Sequence, residues 1–291
     1  MALGTDHMTT TTNAVFIPEI WAEKLNDFYR AGLVCANFFE DLSDEVSGGG
    51  DIIHIPNISE MTANAKAVGS EVTLNAPTSG NIDLTIDTHY EVSFVIEDAV
   101  ASQMKSSYRM QERFARNAGY TVAATLEDAI IALFNGFSQT VGSSAAALAD
   151  SNIRAAIAYL DAANVPADDR AFFLHPNVVW NQVMGIDKFT LVQNTSGADP
   201  VTKGAVGMLY GIPVYVTSRL GTTLGHRNGA LAGSDAINYA TANIAGGDQP
   251  GTVRLQTSYL QEYLGYLVTA DIIFGVIENR DTSGVWIKAS S

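Results

Sequence analysis

The chain predicts an α+β fold in two lobes, and three stretches carry that prediction. From Ile82 to Glu97, Leu84, Ile86, Tyr90, Val92, Phe94 and Ile96 alternate with Asp83, Thr85, Asp87, His89, Glu91 and Ser93, the period-two signature of a strand with one apolar and one polar face. From about Ser107 to Phe134, Phe114, Ala118, Val122, Leu126, Ile130 and Leu133 form a helical ridge. Beyond Gly136, short apolar runs alternate with helical patterns, the mark of a mixed α/β lobe. At 291 residues the chain also exceeds the length at which one core stops growing.

The strand is the unusual element. At about 3.3 Å per residue it would run about 50 Å, where ordinary strands reach about 17 to 20 Å. Strands of that length commonly extend beyond their own core to cover a neighbour, which points to an assembly protein.

The other elements follow in chain order. Met1 to His7 reads as a cloning remnant ahead of Met8, and Thr9 to Asn13 as a flexible end. Phe16 to Tyr29 predicts a helix with Pro18 in its first turn and a stripe of Ile17, Ile20, Trp21, Lys24, Leu25 and Phe28 that needs a partner. Gly32 ends it, and Ser47-Gly48-Gly49-Gly50 breaks the chain before a short strand, Asp51 to Pro56. Asn57 to Asn81 lacks periodicity, so the region reads as a long hairpin with an irregular tip. After the long helix, Gly136 to Ala149 is a connection of small residues between the lobes. Asp150 or Ser151 caps a helix carrying Ile153, Ile157 and Leu160, which Asn164-Val165-Pro166 stops.

Arg170 to Leu174 predicts a buried strand, and His175-Pro176-Asn177 turns into a short helix with Val178, Val179, Trp180 and Val183. Gly211 to Val216 predicts another strand, and Ala230 to Gly233 leads into a helix near Asp235 to Tyr239. Tyr266 to Glu278 is a long apolar strand interrupted by Asp271, and Val285 to Lys288 returns across the turn Asp281 to Gly284.

Composition narrows the function. Hydrophobic residues make up 47% and charged residues only 16%, a balance suited to burial against other subunits or to an ordinary packed domain. A net charge of -15 excludes adhesive binding to phosphates, which needs clustered Lys and Arg. The single cysteine, Cys35, excludes an internal disulfide, and the N-terminus lacks the basic and apolar regions of a secretory signal. Folding inside the cell is therefore expected. The longest uncharged run, Ala129 to Ala149, is too polar to span a membrane.

Catalytic chemistry finds little footing. His7, His54, His89, His175 and His226 lack the spacing of metal ligands on one helix face, so no metal is expected. Nucleophile-elbow, phosphate-loop and dinucleotide-loop motifs are absent from the sequence, and no cofactor is expected. His175, at a strand exit, is the best single catalytic candidate, and a turn histidine serving local backbone groups is the stronger reading. Cys35, beside Ala36, Phe38 and Phe39, reads as a buried thiol. Catalytic, cofactor-binding and metal-binding residues are thus all assigned as none.

The charge map is more informative. Between Glu40 and Asp98 stand twelve acids (Glu40, Asp41, Asp44, Glu45, Asp51, Glu60, Glu71, Asp83, Asp87, Glu91, Glu97, Asp98) and one base, Lys66. Arg109, Arg113 and Arg116 follow on one helix face. A hairpin from one subunit laid across the helix of the next would use both, and solvated surface charge is the alternative.

This order of elements resembles the major capsid proteins of tailed bacteriophages, the Hong Kong 97 fold. The likeness covers about Ala14 to Ala289, and RAFFLHPNVVWNQV and LYGIPVYV look like segments of phage coat subunits. It implies an N-terminal arm (14–48), an extended loop (49–82), a peripheral domain with a spine helix (83–140 and 266–291) and an axial domain (141–265). It also implies a non-enzymatic shell of hexamers and pentamers around double-stranded DNA, assembled in the host cytoplasm and found in the virion. Lys66, Glu60, Glu71, Asp83, Asp87, Arg109, Arg113, Arg116 and Trp21 are then the expected subunit-interface residues.

About a dozen residues precede Ala14, where members with a built-in scaffold carry a large helical segment. A separate scaffolding protein is therefore expected, with a portal and decoration proteins as further partners. Some members crosslink a loop lysine to a peripheral-domain asparagine, and Lys66 and Asn279 match by residue type alone. The competing readings are an encapsulin-like nanocompartment shell, a tail or decoration protein, and an intracellular α/β hydrolase using His175.

Overall fold

The computed structural model describes residues 33–46, 48–58, 61–76, 79–103, 110–186, 207–223, 225–242 and 253–290. The expected arm helix Phe16 to Tyr29, with Trp21, lies outside them, as do Glu60 and Arg109. The fold is α+β, as expected, and is built on two sheets joined by a long helix.

The five-stranded sheet is organised around β13 (Gly265–Glu278). Along one side of β13 runs β4 (Thr88–Glu97), with Gly265 opposite Glu97 and Phe274 opposite Thr88. The other side takes β12 (Arg254–Leu260) and then β11 (Ile237–Thr241), both antiparallel. A short β1 (Glu40–Asp41) adds in parallel to β11. The spine helix α2 (Met110–Leu133) lies on this sheet, with Ala118, Val122, Leu126 and Ile130 buried against Ala270, Ile272 and Phe274. A short helix, α1 (Asp98–Gln103), follows β4 directly; the periodicity gave no sign of it.

The seven-stranded sheet runs β5 (Gln139–Gly142), β14 (Gly284–Ala289), β10 (His226–Gly233), β6 (Arg170–Leu174), β8 (Ile212–Val216) and β7 (Met208–Leu209), with β9 (Thr222–Thr223) paired to β10. Every residue of β6 is buried: the apolar run 171–174 is covered on both faces, and Arg170 donates to the Asp161 carboxylate at 2.6 Å. Phe172 and Leu174 face a core closed by α3 (Asp150–Ala162) and α4 (Pro176–Asn181). Ala171 and Phe173 face the spine-helix core, where the Phe173 ring lies 5.4 Å from Phe39 and 5.6 Å from Phe134. One strand thus joins both cores.

Five expectations need correction. The alternating stretch Ile82 to Glu97 is not one strand. It divides into β3 (Ser79–Thr85) and β4, with a corner at Ile86-Asp87. At the corner the Ile86 N–H leaves the path toward β13 and donates to Asp51 O at 2.8 Å. The side-chain alternation continues through the bend, with Leu84 and Ile86 both buried, so sequence parity hides it. The second correction concerns Asp235 to Tyr239, where a turn and the strand β11 replace the expected helix. All five residues of β11 are buried, and the strand is paired on both edges.

Third, Gly136 to Ala149 is more than a connection, because β5 within it pairs in parallel with β14. Fourth, the residue at the N-cap of α3 is Ala149, which offers no side-chain hydrogen bond; Asp150 lies in the first turn and binds Arg154 instead. Fifth, β13 and β14 do not form a hairpin. The 3-10 turn Asp281–Ser283 carries the chain from one sheet to the other.

Candidate intersubunit surface

The extended loop is a two-stranded ribbon that stands away from both cores. β2 (Ile52–Ile58) pairs with β3 from Ile52 opposite Thr85 to Ile58 opposite Ser79. Beyond the ribbon, residues 61–76 carry no helix or strand and are exposed throughout. Only its base is held: Leu84 and Ile86 join Val46 and Ala240 in a small buried cluster, with Ile53 and Ile55 packed beside it. The outer half exposes Ile58 at 74%, Val68 at 106% and Leu74 at 87%, together with Met61 and Val72. A two-stranded ribbon is marginal in water, and contiguous exposed apolar side chains signal a partner. These apolar residues were missed in the sequence because they follow no period, although their density in an otherwise aperiodic segment was a usable signal.

The structure places the expected interface residues as follows. Lys66 and Glu71 are exposed on the loop tip, Asp83 is exposed on the ribbon, and Asp87 is exposed at the corner. The Asp83 carboxylate contacts His54 Nδ1 at 2.6 Å across the ribbon and also accepts from Asn81; the His54 contact holds its pKa below the usual carboxylate value. Asp87 accepts from the Thr88 hydroxyl at 3.1 Å. On α2, Arg113 is half-buried and Arg116 is exposed, with its guanidinium 3.2 Å from Glu112 one turn earlier. Among the described residues, no ion pair joins the loop acids to Arg113 or Arg116 within the subunit. Trp21, Glu60 and Arg109 lie outside the described residues.

A second exposed region lies where β12 turns into β13. Tyr259, Tyr263, Leu264 and Tyr266 are exposed there. The Tyr259 and Tyr266 rings meet edge to face at 5.1 Å, and the Tyr259 hydroxyl donates to Asp98 Oδ2 at 2.9 Å. Aromatic side chains of this kind are favoured at protein interfaces.

The catalytic candidates have structural roles. His175 is the N-cap of α4, and its Nδ1 accepts the Asn177 N–H at 3.0 Å; burial, with Arg227 nearby, lowers its pKa. Cys35 is fully buried, which pushes its thiol far up. It lies against the buried carboxylate of Glu127, which accepts the N–H groups of Val34 at 2.8 Å, Cys35 at 2.9 Å and Ala36 at 3.1 Å. Glu127 thereby ties the start of the described chain to the spine helix. Among the described residues, no three His, Cys, Asp or Glu side chains gather as metal ligands.

Comparison with known proteins follows the same lines. The sequence pattern of the family described as phage capsid protein matches residues 97–288. No curated protein sequence matches this chain. Among solved structures, one from Mycobacterium phage Che8 superposes with a TM-score of 0.78 at 21% identity, covering 94% of this chain and 97% of the other. The capsid structure of cyanophage P-SCSP1u gives 0.77 at 15% identity, covering 99% and 97%. The mature capsid of bacteriophage PhiM1 gives 0.74 at 13% identity, covering 94% and 91%. The chain belongs to the phage capsid protein family: it is a shell-forming coat subunit with the Hong Kong 97 fold.

Proposed function

We propose that the ribbon β2–β3 and its tip clasp an adjacent subunit, and that this clasp joins the coat protein into hexamers and pentamers. The observation that carries this reading is the ribbon itself, held at its base and apolar at its exposed outer end. Lys66, Glu71, Asp83 and Asp87 on the loop and Arg113 and Arg116 on the spine helix form the charged part of the contact, with Glu60 and Arg109 joining them by sequence position. Opposite charges steer the approach and fix the register, while the apolar tip supplies buried area. The work is structural and non-enzymatic. The hydrolase reading loses its support because the His175 imidazole caps a helix.

The shell encloses double-stranded DNA without sequence recognition. A subunit of net charge -15 does not hold phosphate tightly, which leaves the genome free to enter and leave. A scaffolding protein, a portal and decoration proteins complete the particle, which assembles in the host cytoplasm. In domain terms, the peripheral domain (83–140 and 266–291) carries β4, α2 and β13 and the axial domain (141–265) carries β6, β8, β10, α3 and α4, while β11 and β12 of the axial span pair into the sheet of β13 and β14 of the peripheral span pairs into the sheet of β10.

The test replaces residues 61–76 with a short Gly-Ser turn that preserves the paired strands. Circular dichroism should show a folded subunit, and electron microscopy should show at least a tenfold loss of closed particles relative to the unaltered chain. Particles formed at the normal yield would refute the clasp.

A further inference from the structure

We propose, resting on the clasp, that the apex of the extended loop seats Val68 in an apolar groove on a second copy of the chain, between β4, α1 and the N-terminal half of α2, with Lys66 against the groove's acidic rim. The groove has a volume of about 560 Å³ and is lined chiefly by Phe94, Val95, Ile96, Val100, Phe114 and Asn117. Val100 and Phe114 are each 44% exposed, which is anomalous for large apolar side chains on facing elements. Glu97 closes one side and also lines an adjoining hollow of about 400 Å³ together with Asp98 and Glu262. All three acids are exposed. On the opposite wall Arg113 stands one helical turn before Asn117, on the same face of α2. The groove is thus apolar within, acidic along β4 and α1, and basic along α2.

The loop apex has the matching form. Asn64 Nδ2 donates to Asn75 Oδ1 at 2.9 Å and Asn75 Nδ2 to Thr62 O at 2.6 Å, which closes a neck beneath the tip. Beyond the neck the Ser70 N–H donates to Ala67 O at 3.3 Å and the Ser70 hydroxyl to the same oxygen at 2.8 Å. Gly69 supplies the φ of +83° that the third position of such a turn demands. Val68 therefore stands at the corner of a formed turn, with its side chain fully exposed. Lys66 precedes the turn and Glu71 follows it, so one base and one acid flank the apolar apex. In one orientation Lys66 meets Glu97, Asp98 and Glu262 while Glu71 meets Arg113; the reverse orientation sets like charges together.

Within one subunit the two halves of this contact do not meet, since Val68 is exposed and the groove is open. The base of the ribbon packs beside Ile273 and Ile277 of β13, whereas the β4 wall of the groove lies opposite Gly265 to Ala270, toward the other end of that strand. Knob and socket on different parts of one chain make a head-to-tail contact, the kind that closes rings of identical subunits.

Subunits carrying Val68→Cys are mixed in equal amounts with subunits carrying Val100→Cys or Asn117→Cys, assembled and oxidised, and the linked peptides are read by mass spectrometry. A disulfide between these positions can only join two copies, and the native Cys35 is fully buried. Gln256→Cys with Thr269→Cys, at directly opposed positions of β12 and β13, is the positive control for oxidation. Position 68 should link to 100 or 117 in at least a quarter of the Val68→Cys subunits. In parallel, Lys66→Glu should lower the particle yield at least threefold by electron microscopy, and adding Glu97→Lys should restore at least half of the loss. Particles that form without either link while the control is oxidised overturn the seat. If replacing residues 61–76 still abolishes particles, the clasp stands with a different receptor; if it does not, clasp and seat fall together. Should the cysteine variants fail to assemble, the charge exchange decides, and no recovery from Glu97→Lys overturns the seat.

Discussion

Asp271 is the one charged residue within the apolar run of β13, and only 2% of it is exposed. Its carboxylate accepts from Arg254 Nε at 2.9 Å and from a terminal guanidinium nitrogen at 2.6 Å, and it contacts His89 Nε2 at 3.1 Å. The three residues stand on β12, β13 and β4, so one buried anion ties three strands together. The Arg254 contact, followed by His89, holds the Asp271 pKa below the usual value. A depressed carboxylate contributes stability above its unfolded pKa of about 3.9 and loses it as pH falls through the lower folded value. Asp271→Asn should therefore cost about 2 kcal/mol near pH 7, less than the full loss of a buried pair because water reaches and screens Arg254. In urea denaturation, the gap between variant and unaltered chain should narrow steadily below about pH 4. The sequence displayed Asp271 as an interruption but not its partners, which come from other strands. Glu127 was less legible still. It sits beside Leu126 on the ridge of α2, and its role depends on the turn at Cys35, 92 residues away in sequence.

At the scale of elements, the corner between β3 and β4 rests on Gly275. A Cβ there would lie 2.1 Å from Thr85 O and 2.8 Å from Thr85 C, backbone atoms that cannot swing aside. Gly275→Ala should destabilise the subunit by about 3 kcal/mol through overpacking, seen as a lower denaturation midpoint. Gly48→Ala, with nothing within 4 Å of its Cβ site, should leave the stability within about 0.5 kcal/mol of the unaltered chain. Strand, spine helix, extended loop and buried β6 were all readable because each has a period or an unbroken apolar run, or a conspicuous lack of one. The corner was not, since a bend that preserves side-chain parity leaves no mark on the pattern. Neither was β11, where Ile237, Tyr239 and Thr241 favour a strand but the five-residue stretch is too short for period alone to separate strand from helix.

For the whole molecule, the proposed contact between loop and spine helix is a matter of charge. Among the described residues, no ion pair joins the acids of residues 40–98 to Arg113 or Arg116, and Arg116 pairs with Glu112 on its own helix. Reversing Arg109, Arg113 and Arg116 to Glu should leave circular dichroism unchanged while lowering particle yield at least tenfold by electron microscopy. Normal particles from that variant would place the loop acids elsewhere. The family was legible from the order of elements, whereas the proposed interface entered the sequence reading only as charge, because the apolar loop residues acquire meaning once the ribbon is seen standing alone. That ribbon is also a lever. Its seven paired residues span about 23 Å from the corner, so a turn of about 10° at Ile86-Asp87 carries the far end about 4 Å. One sequence can thus meet neighbours at differing angles on a curved surface by adjusting a single joint.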